Sequence, residues 1–387
     1  MKKNYLKLLA LCMVAVMGLF AFAGCGNDNN QQQGSSNAGN DETQVFKIGV
    51  IGPLTGAAAS YGTSVKQGAE IAVAELNAAG GVAGYTLELL AEDDQHDAEK
   101  AVSAYNTLMD NDMNALVGAV TSVPCIAVTE ESQADGLLQI TPSASAADAA
   151  KYDNCFRICF TDPQQGQHMA DYIYAQGVTN CAVLYDVSDA YSSGIYEAFV
   201  AAYEGLGGTI AAAESFASGD VDFHTQLTSI KNSGAQALFM PFYYQEVAYV
   251  ANQAGDVGLA VPYFGCDGWD GVIKQLEGDT TLVNGAAFLT PFFANATDEK
   301  TAGFVAAYQG AYGAIPDQFA ADGYDAVYAV AAALEKAGSA DNAALVAAMH
   351  EIEIEGVTGK MSWDENGDAT KEAIIAIIQD GDTVPAE

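Results

Sequence analysis

The sequence predicts an α/β protein made of two doubly wound, parallel-sheet lobes with a ligand cleft between them. Three observations predict it. From Phe46 onward, short apolar runs alternate with segments of helical periodicity, the pattern of a parallel sheet with right-handed crossovers. That series runs to about residue 160 and then repeats in similar layout to about residue 290. The chain, at 387 residues, is long enough for two domains with real cores.

The N-terminus reads as a processing signal. Lys2, Lys3 and Lys7 precede an apolar run from Leu8 to Ala23, which ends in Phe22-Ala23-Gly24-Cys25. A basic start, an apolar core and small residues before the cut make a secretory signal. Cys directly after Ala-Gly resembles the bacterial lipobox, although Leu is usual where Phe22 stands. Cys25 is therefore expected to be the mature first residue and to carry lipid. Residues 25–44 hold that Cys and a stretch without aromatic residues or aliphatic runs, which cannot bury a core and reads as a flexible tether. No later apolar run is long enough to span a bilayer.

Net charge is −36; loss of the three signal lysines leaves 11 basic residues against 50 acidic ones, or −39. That excludes nucleic acid as a partner, and docking onto anionic lipid by charge. With Cys25 assigned to lipid, Cys125, Cys155, Cys159, Cys181 and Cys266 remain. An odd number cannot pair fully within the chain, so buried thiols are expected.

In the first series, "FKIGVIGP" is a short apolar strand. "SYGTSVKQGAEIAVAELNAAGG" has Val65, Ala69, Ala72, Val73 and Leu76 at helical spacing and stops at Gly80-Gly81. A strand "YTLELLAEDD", a helix "HDAEKAVSAYNTLMD", a strand "NALVGAV", a helix from about Pro124 to Ala134 and a strand "GLLQITP" follow. The second series runs "NCAVLYD", "YSSGIYEAFVAAYEGLG", "GTIAAAESF", "DFHTQLTSIKNSG", "AQALFMPF", "QEVAYVANQAGDVG" and "VPYFGCD", strand and helix in turn. The last stretch is mixed, with helices near "EKTAGFVAAYQGAYG" and "AADGYDAVYAVAAALEKAG" and two strands near its end. The expected division is a signal over 1–24, the lipidated tether over 25–44, a first lobe over 45–160 completed by about 291–365, and a second over 161–290 completed by about 366–387.

Ligands in such sheets lie outside the carboxyl ends of the strands. There the first lobe places "LTGAAASYG", Thr121-Ser122 and Pro142-Ser143-Ala144-Ser145. Hydroxyls, small residues and backbone amides near helix starts suit a carboxylate. The second lobe places Phe242, Tyr243 and Tyr244 after one strand and Asp267, Gly268 and Trp269 after another. Aromatics and one carboxylate suit an ammonium and an apolar side chain. Together they describe a cleft for a free amino acid.

At these residues the sequence resembles the bacterial branched-chain amino-acid-binding proteins (leucine/isoleucine/valine-binding), with the type I periplasmic-binding fold that serves ABC importers. The likeness covers essentially all of 45–380. It rests on the order and spacing of "IGVIGPLTGAAASYGTSVKQGAEIAVAELNAAGGVAG", "AEDDQHDAEKAV", "ITPSAS", "FGCDGWDG" and "GVTGKMSWDENGDATK". The resemblance implies carboxylate contacts at Ser122, Ser143 and Ser145, with Ser143 acting mainly through its backbone and Ser145 through backbone and hydroxyl. It implies an ammonium-binding acid at Asp267, where many relatives carry Glu, so the shorter Asp must reach differently. It implies cleft aromatics at Tyr61, Tyr191, Tyr243 and Phe319. A first-lobe disulfide of some relatives falls on His96 and Thr121 and is absent here.

Each residue has a plainer structural role beside the functional one. The serines could simply cap the next helix. The aromatics could be core, and Trp269, a further candidate for the cleft, could pack under its loop. "AEDDQHD" reads as a strand end and a helix N-cap rather than a metal cluster, and "DENGDATK" as a hairpin turn rather than a calcium loop, because Gly367 falls at the wrong place. No nucleotide-binding, hydrolase-elbow or zinc-protease motif is present. The expected protein is a lipid-anchored extracytoplasmic binding protein of an ABC importer, monomeric and not an enzyme. It needs no cofactor or metal, and its partners are a free amino acid, most readily a branched aliphatic one, and a membrane permease. The alternatives are a ligand-sensing receptor component of the same fold, binding another amino acid or an amide, and an enzyme working in the cleft.

Overall fold

The computed structural model describes residues 44–276 and 279–386; the signal peptide, Cys25 and the tether up to residue 43 lie outside the described residues. Gln44, counted above with the tether, opens the first strand.

Near-continuous apolar runs form the strands of the first sheet because both of their faces are covered by helices. These are β1 (Gln44–Gly52), β2 (Tyr85–Asp93), β3 (Ala115–Gly118), β4 (Gln139–Thr141) and β5 (Cys155–Arg157). They lie in the order β2-β1-β3-β4-β5, all parallel. Their crossovers are α1 (Ala59–Ala78), α2 (Ala98–Asp110) and α3 (Ser122–Asp135). α2 starts at the Asp97 N-cap read from the sequence, with Asp97 accepting from the Lys100 amide at 2.9 Å. α3 begins two residues earlier than its periodicity suggested, so Ser122 is its first residue.

α4 (Asp162–Ala175) carries the chain into a second sheet of seven strands, in the order β14-β13-β10-β9-β8-β6-β7. Its parallel members are β6 (Asn180–Asp186), β7 (Thr209–Phe216), β8 (Ala237–Met240), β9 (Tyr263–Gly265) and β10 (Ala287–Thr290). The helices between them are α5 (Ala190–Gly205), α6 (His224–Ser233), α7 (Tyr244–Val257) and the short α8 (Val272–Gln275).

The last stretch supplies α9 (Glu299–Tyr312), α10 (Gln318–Ala337) and α11 (Asn342–Met349). It then forms a hairpin, β11 (Glu353–Gly356) with β12 (Gly359–Ser362), before β13 (Ile374–Gln379) and β14 (Asp382–Pro385) join the second sheet antiparallel. Four strands thus stand where the sequence suggested two, because the exposed, charged hairpin "EIEG…GKMS" lacks an apolar run. α10 returns against α1, and glycine permits the approach. A Cβ on Gly68 would lie 1.8 Å from the Ala320 carbonyl oxygen, and one on Gly323 2.3 Å from that of Val65. Residues 364–368 form the turn read from "DENGDATK", with Asp364 accepting from the amides of Asn366 and Asp368. The fold is α/β with parallel-dominated sheets in two lobes, as the sequence predicts. The five described cysteines are free and buried, and burial pushes Cys125 up to about 11 and Cys155 to about 12. Among the described residues no helix is long and apolar enough to cross a membrane.

Candidate functional site

Strand order reverses direction between β1 and β3 in the first sheet and between β6 and β8 in the second. Such switch points open crevices at the strands' carboxyl ends. The loops leaving these strands face one another, and the lobes touch across them. Tyr61 of α1 donates its hydroxyl to the Gly268 carbonyl and accepts from the Tyr244 amide at 3.3 Å. Tyr244 in turn donates to the Ala57 carbonyl at 2.8 Å. His96 reaches Thr121 Oγ1 through Nδ1 at 2.8 Å and Asp189 of the other lobe through Nε2 at 3.4 Å. The two positions that could not form a disulfide are thus neighbours joined by a hydrogen bond.

The three serines come together beside α3. Ser122 Oγ accepts from the Ala146 amide at 3.3 Å, and Ser143 Oγ donates to the Val120 carbonyl at 2.6 Å. The Ser143 hydroxyl thus spends its proton on the loop, whereas the Ser122 hydroxyl only accepts and keeps its O–H free to donate. Ser145 is fully buried, and its Oγ has no hydrogen-bond partner. Arg157, on β5, fixes this loop from behind. Its guanidinium donates to the carbonyls of Ala144, Ser145, Ala146 and Ala147, and its Nε lies 2.7 Å from Asp368 Oδ1.

On the other side Asp267 begins a single 3-10 turn after β9. Its Oδ1 accepts from the Tyr191 hydroxyl at 2.8 Å; its amide donates to Gln165 Oε1 at 3.1 Å and its carbonyl accepts from Gln318 Nε2 at 2.6 Å. Burial raises the Asp267 carboxyl to about 6 against the lowering pull of Tyr191 and Gln165. Burial and then the Asp267 charge lift Tyr191 well above its ordinary value, so it stays a donor. Gly268 must be small, because a Cβ there would lie 2.8 Å from Tyr191 Oη and 2.9 Å from Tyr243 Cδ1.

The four aromatics do meet. Tyr61 packs 4.1 Å from Phe319 and 5.4 Å from Tyr243, and Tyr191 stacks on Tyr243 at 4.9 Å, by ring centroids. Trp269 sits beneath the turn. A Cβ on Gly265 would strike its indole, whose N–H donates to the Met240 carbonyl at 2.8 Å. The indole's only donor is thus spent within the protein.

The sequence reading gave the second lobe one carboxylate at the site; the structure brings another. Asp162, the first residue of α4, is 2 % exposed, and its Oδ1 has no hydrogen-bond partner. Burial raises it well above its usual range against the pull of the neighbouring Ser145 hydroxyl, with the charges of Asp267 and Asp189 adding to the rise. Gln165, one turn on, is fully buried with Nε2 unpartnered. "TDPQQGQ" gave no sign of this, because Thr161-Asp162-Pro163 is also what a helix start requires, and Thr161 and Gln164 do form a capping box. Arg157 left a faint signal, a lone cation inside the apolar run "CFRICF". Among the described residues no group of three or more His, Cys, Asp or Glu side chains is placed to hold a metal ion.

Ser145 Oγ lies beside Asp162 and Gln165 beside Asp267, and Ser145 Oγ, Asp162 Oδ1 and Gln165 Nε2 are all buried without a well-formed hydrogen bond where two lobes meet. That arrangement defines a protein that encloses a small polar solute. The periplasmic binding protein family model matches residues 45–382, and the chain belongs to that family, whose place of work is outside the cytoplasm. It is 33 % identical over 326 residues to the Leu/Ile/Val-binding protein homolog 3 of Brucella melitensis, covering 83 % of this chain and 88 % of that one. It is 31 % identical to a leucine-, isoleucine-, valine-, threonine- and alanine-binding protein of Pseudomonas aeruginosa, covering 84 % and 87 %. Among solved structures it is similar to the leucine-binding protein LivK of Thermotoga maritima, with a TM-score of 0.83 at 29 % identity over 88 % of this chain and 98 % of that one. The isoleucine complex of LivJ from Streptococcus pneumoniae gives a TM-score of 0.82 at 29 % identity over 89 % and 100 %.

Proposed function

We propose that this protein is the substrate-binding lipoprotein of an ABC importer and that it captures a free α-amino acid by closure of its lobes. The reading rests chiefly on one observation: a buried hydroxyl and backbone amides on one lobe face a buried carboxylate on the other. Ser145, with the amides of Ser143 and Ser145 and those at the start of α3, would take the ligand's carboxylate, the Ala144 and Ala146 amides being spent on Thr141 Oγ1 and Ser122 Oγ. Asp267, backed by Tyr191 and joined by Asp162, would take its ammonium. Tyr61, Tyr191, Tyr243 and Phe319 would enclose the carbon between them.

No bond is made or broken in this scheme. A ligand that touches both lobes binds the closed form better and shifts the population towards it. The closed form then docks on a membrane permease while Cys25, lipidated, tethers the protein to the membrane. The relatives named for leucine, isoleucine and valine make those aliphatic acids the first to test. A thermal-shift screen of the full-length protein against the twenty amino acids is the experiment. A tight ligand raises the melting temperature by mass action, and a chain that responds to none of them does not have this function.

A further inference from the structure

A cavity of about 190 Å³ opens at the rim of the same cleft. Neither Asp267 nor any of the three serines lines it, but Tyr191 and Tyr243 do, so it shares a wall with the proposed amino-acid site. Ala57, Ala58 and His96 close it from the first lobe, and the ends of β6, β7 and β8 with the starts of α5 and α7 form the rest. It therefore exists only where the lobes meet. A dry cavity of roughly 150 Å³ holds a benzene ring, so this one holds the outer part of a long side chain.

Its lining has two chemistries. Phe216, Phe242, Tyr243 and Tyr249 give apolar and aromatic walls. Asp186, Asp189, Asp220 and Glu246 bring carboxylates, with His96 the one basic group in the lining; Asp220 accepts from the Ala217 amide at 3.0 Å. Asp186 accepts from the hydroxyls of Ser188 and Ser218, and Asp189 accepts from the Tyr191 amide and pairs with His96. The Glu246 carboxylate accepts no hydrogen bond from another described residue. Burial raises its carboxyl to about 7, and Asp186 and Asp189 push the same way, against the weaker pull of its own backbone and of His96. Beside it the Gln245 Oε1 atom, also at the cavity, is buried without a hydrogen-bond partner.

We propose that this cavity is the side-chain subsite of the amino-acid site and that it takes an apolar stem ending in a cation, an ammonium or a guanidinium. The inference rests on the amino-acid reading above and departs from the aliphatic side chain which the relatives suggest. A branched aliphatic group would leave the buried Gln245 Oε1 unpaired and set hydrocarbon against the half-buried Glu246 carboxyl, both of which cost free energy. A cationic group would meet Glu246 and Gln245 with its donors and the aromatic walls with its charge and stem. The rim position also suits a side chain, because an ammonium taken by Asp267 would hold the α-carbon on the far side of Tyr191 and Tyr243, which wall the cavity.

Calorimetry on the full-length protein tests this with six ligands: lysine, ornithine, arginine, leucine, isoleucine and valine. The expected result is that one of the cationic acids binds at least about tenfold more tightly than any aliphatic one, the scale of one charge-assisted hydrogen bond. Glu246→Gln should then weaken that cationic acid about tenfold more than it weakens leucine. Tightest binding of an aliphatic acid, or equal weakening of both classes by Glu246→Gln, overturns the subsite and leaves the amino-acid reading standing. Should Glu246→Gln not fold, the order of affinities in the unmodified protein decides alone. If none of the twenty amino acids binds, the amino-acid reading fails and the subsite with it.

Discussion

Replacing Asp267 by Asn keeps the shape of the side chain and removes its charge. The Tyr191 hydroxyl, and the Gln165 side chain that also pulls on the carboxyl, can still donate to the amide oxygen, and the backbone bonds to Gln165 and Gln318 stay in place. What is lost is the attraction for the ligand's ammonium. Truncating one side of a buried charge pair costs about 2–5 kcal/mol, or about 30- to 5,000-fold in affinity. The unliganded protein should respond in the opposite sense. Burial raises the Asp267 carboxyl from 3.8 to about 6. A carboxyl raised by folding holds its proton in the folded state through that window, so its contribution to stability falls as pH rises from 3.8 to about 6 and is fully lost above. Two units correspond to roughly 3 kcal/mol, so at pH 7.5 unliganded Asp267→Asn should melt no lower than the unmodified protein, and most plainly higher. Affinity runs the other way with pH, because the ammonium needs the ionised acid. Between pH 7 and pH 5 the unmodified protein should lose about tenfold more affinity than Asp267→Asn. The assay is calorimetric titration at both pH values with the amino acid found by screening and with its deaminated analogue. If the unmodified protein binds the two equally well, Asp267 does not read the ammonium and the amino-acid assignment falls.

Ser145→Ala should weaken binding by about 1–3 kcal/mol, through loss of one bond to a charged carboxylate; unchanged affinity in calorimetry would return Ser145 to a purely structural role. Arg157→Met removes the donors to four buried loop carbonyls and unpairs Asp368. It should cost about 3 kcal/mol or more of stability, read by denaturant titration, and the remaining folded protein should bind more weakly because the Ser145 loop is no longer held. Gly268→Ala would press its Cβ against Tyr191 and Tyr243, and overpacking of this kind costs about 1–3 kcal/mol; the expected readout is a loss of affinity larger than any loss of unliganded melting temperature. Cys25→Ala should release the protein from the membrane on cell fractionation and leave its thermal unfolding unchanged, and equal membrane retention would remove the lipid anchor from the proposal.

The alternation of strands and helices was legible in the sequence because it depends on local periodicity. A buried parallel strand must be apolar throughout, as "NCAVLYD" is, and a covering helix must be apolar on one face, as Val65, Ala69, Ala72, Val73 and Leu76 are. Part of the site was legible for a related reason. Ligands sit at strand ends, so small hydroxyl residues after β4 and an acid after β9 stand out in the one-dimensional text. The aromatic cleft residues entered through resemblance, and the structure does bring Tyr61, Tyr191, Tyr243 and Phe319 together.

Tertiary structure alone decided what faces what. Tyr61 meets the Gly268 carbonyl across 207 positions of sequence and Tyr191 meets Asp267 across 76. No local pattern encodes such pairings, which follow from the closing of one sheet's switch point on another's. Asp162 and Gln165 were hidden because a helix start and a ligand contact ask for the same residue types. His96 and Thr121, read only as an absent disulfide, became a bridge to Asp189 once the second lobe was in place. The charge of the rim cavity was likewise invisible, since Asp186, Asp189, Asp220 and Glu246 are spread over three strand ends and each alone is an ordinary polar residue near a helix start. Side-chain periodicity fixes which residues are buried; only the packing of one element on another fixes whether a buried charge has a partner in the protein or must find it in a ligand.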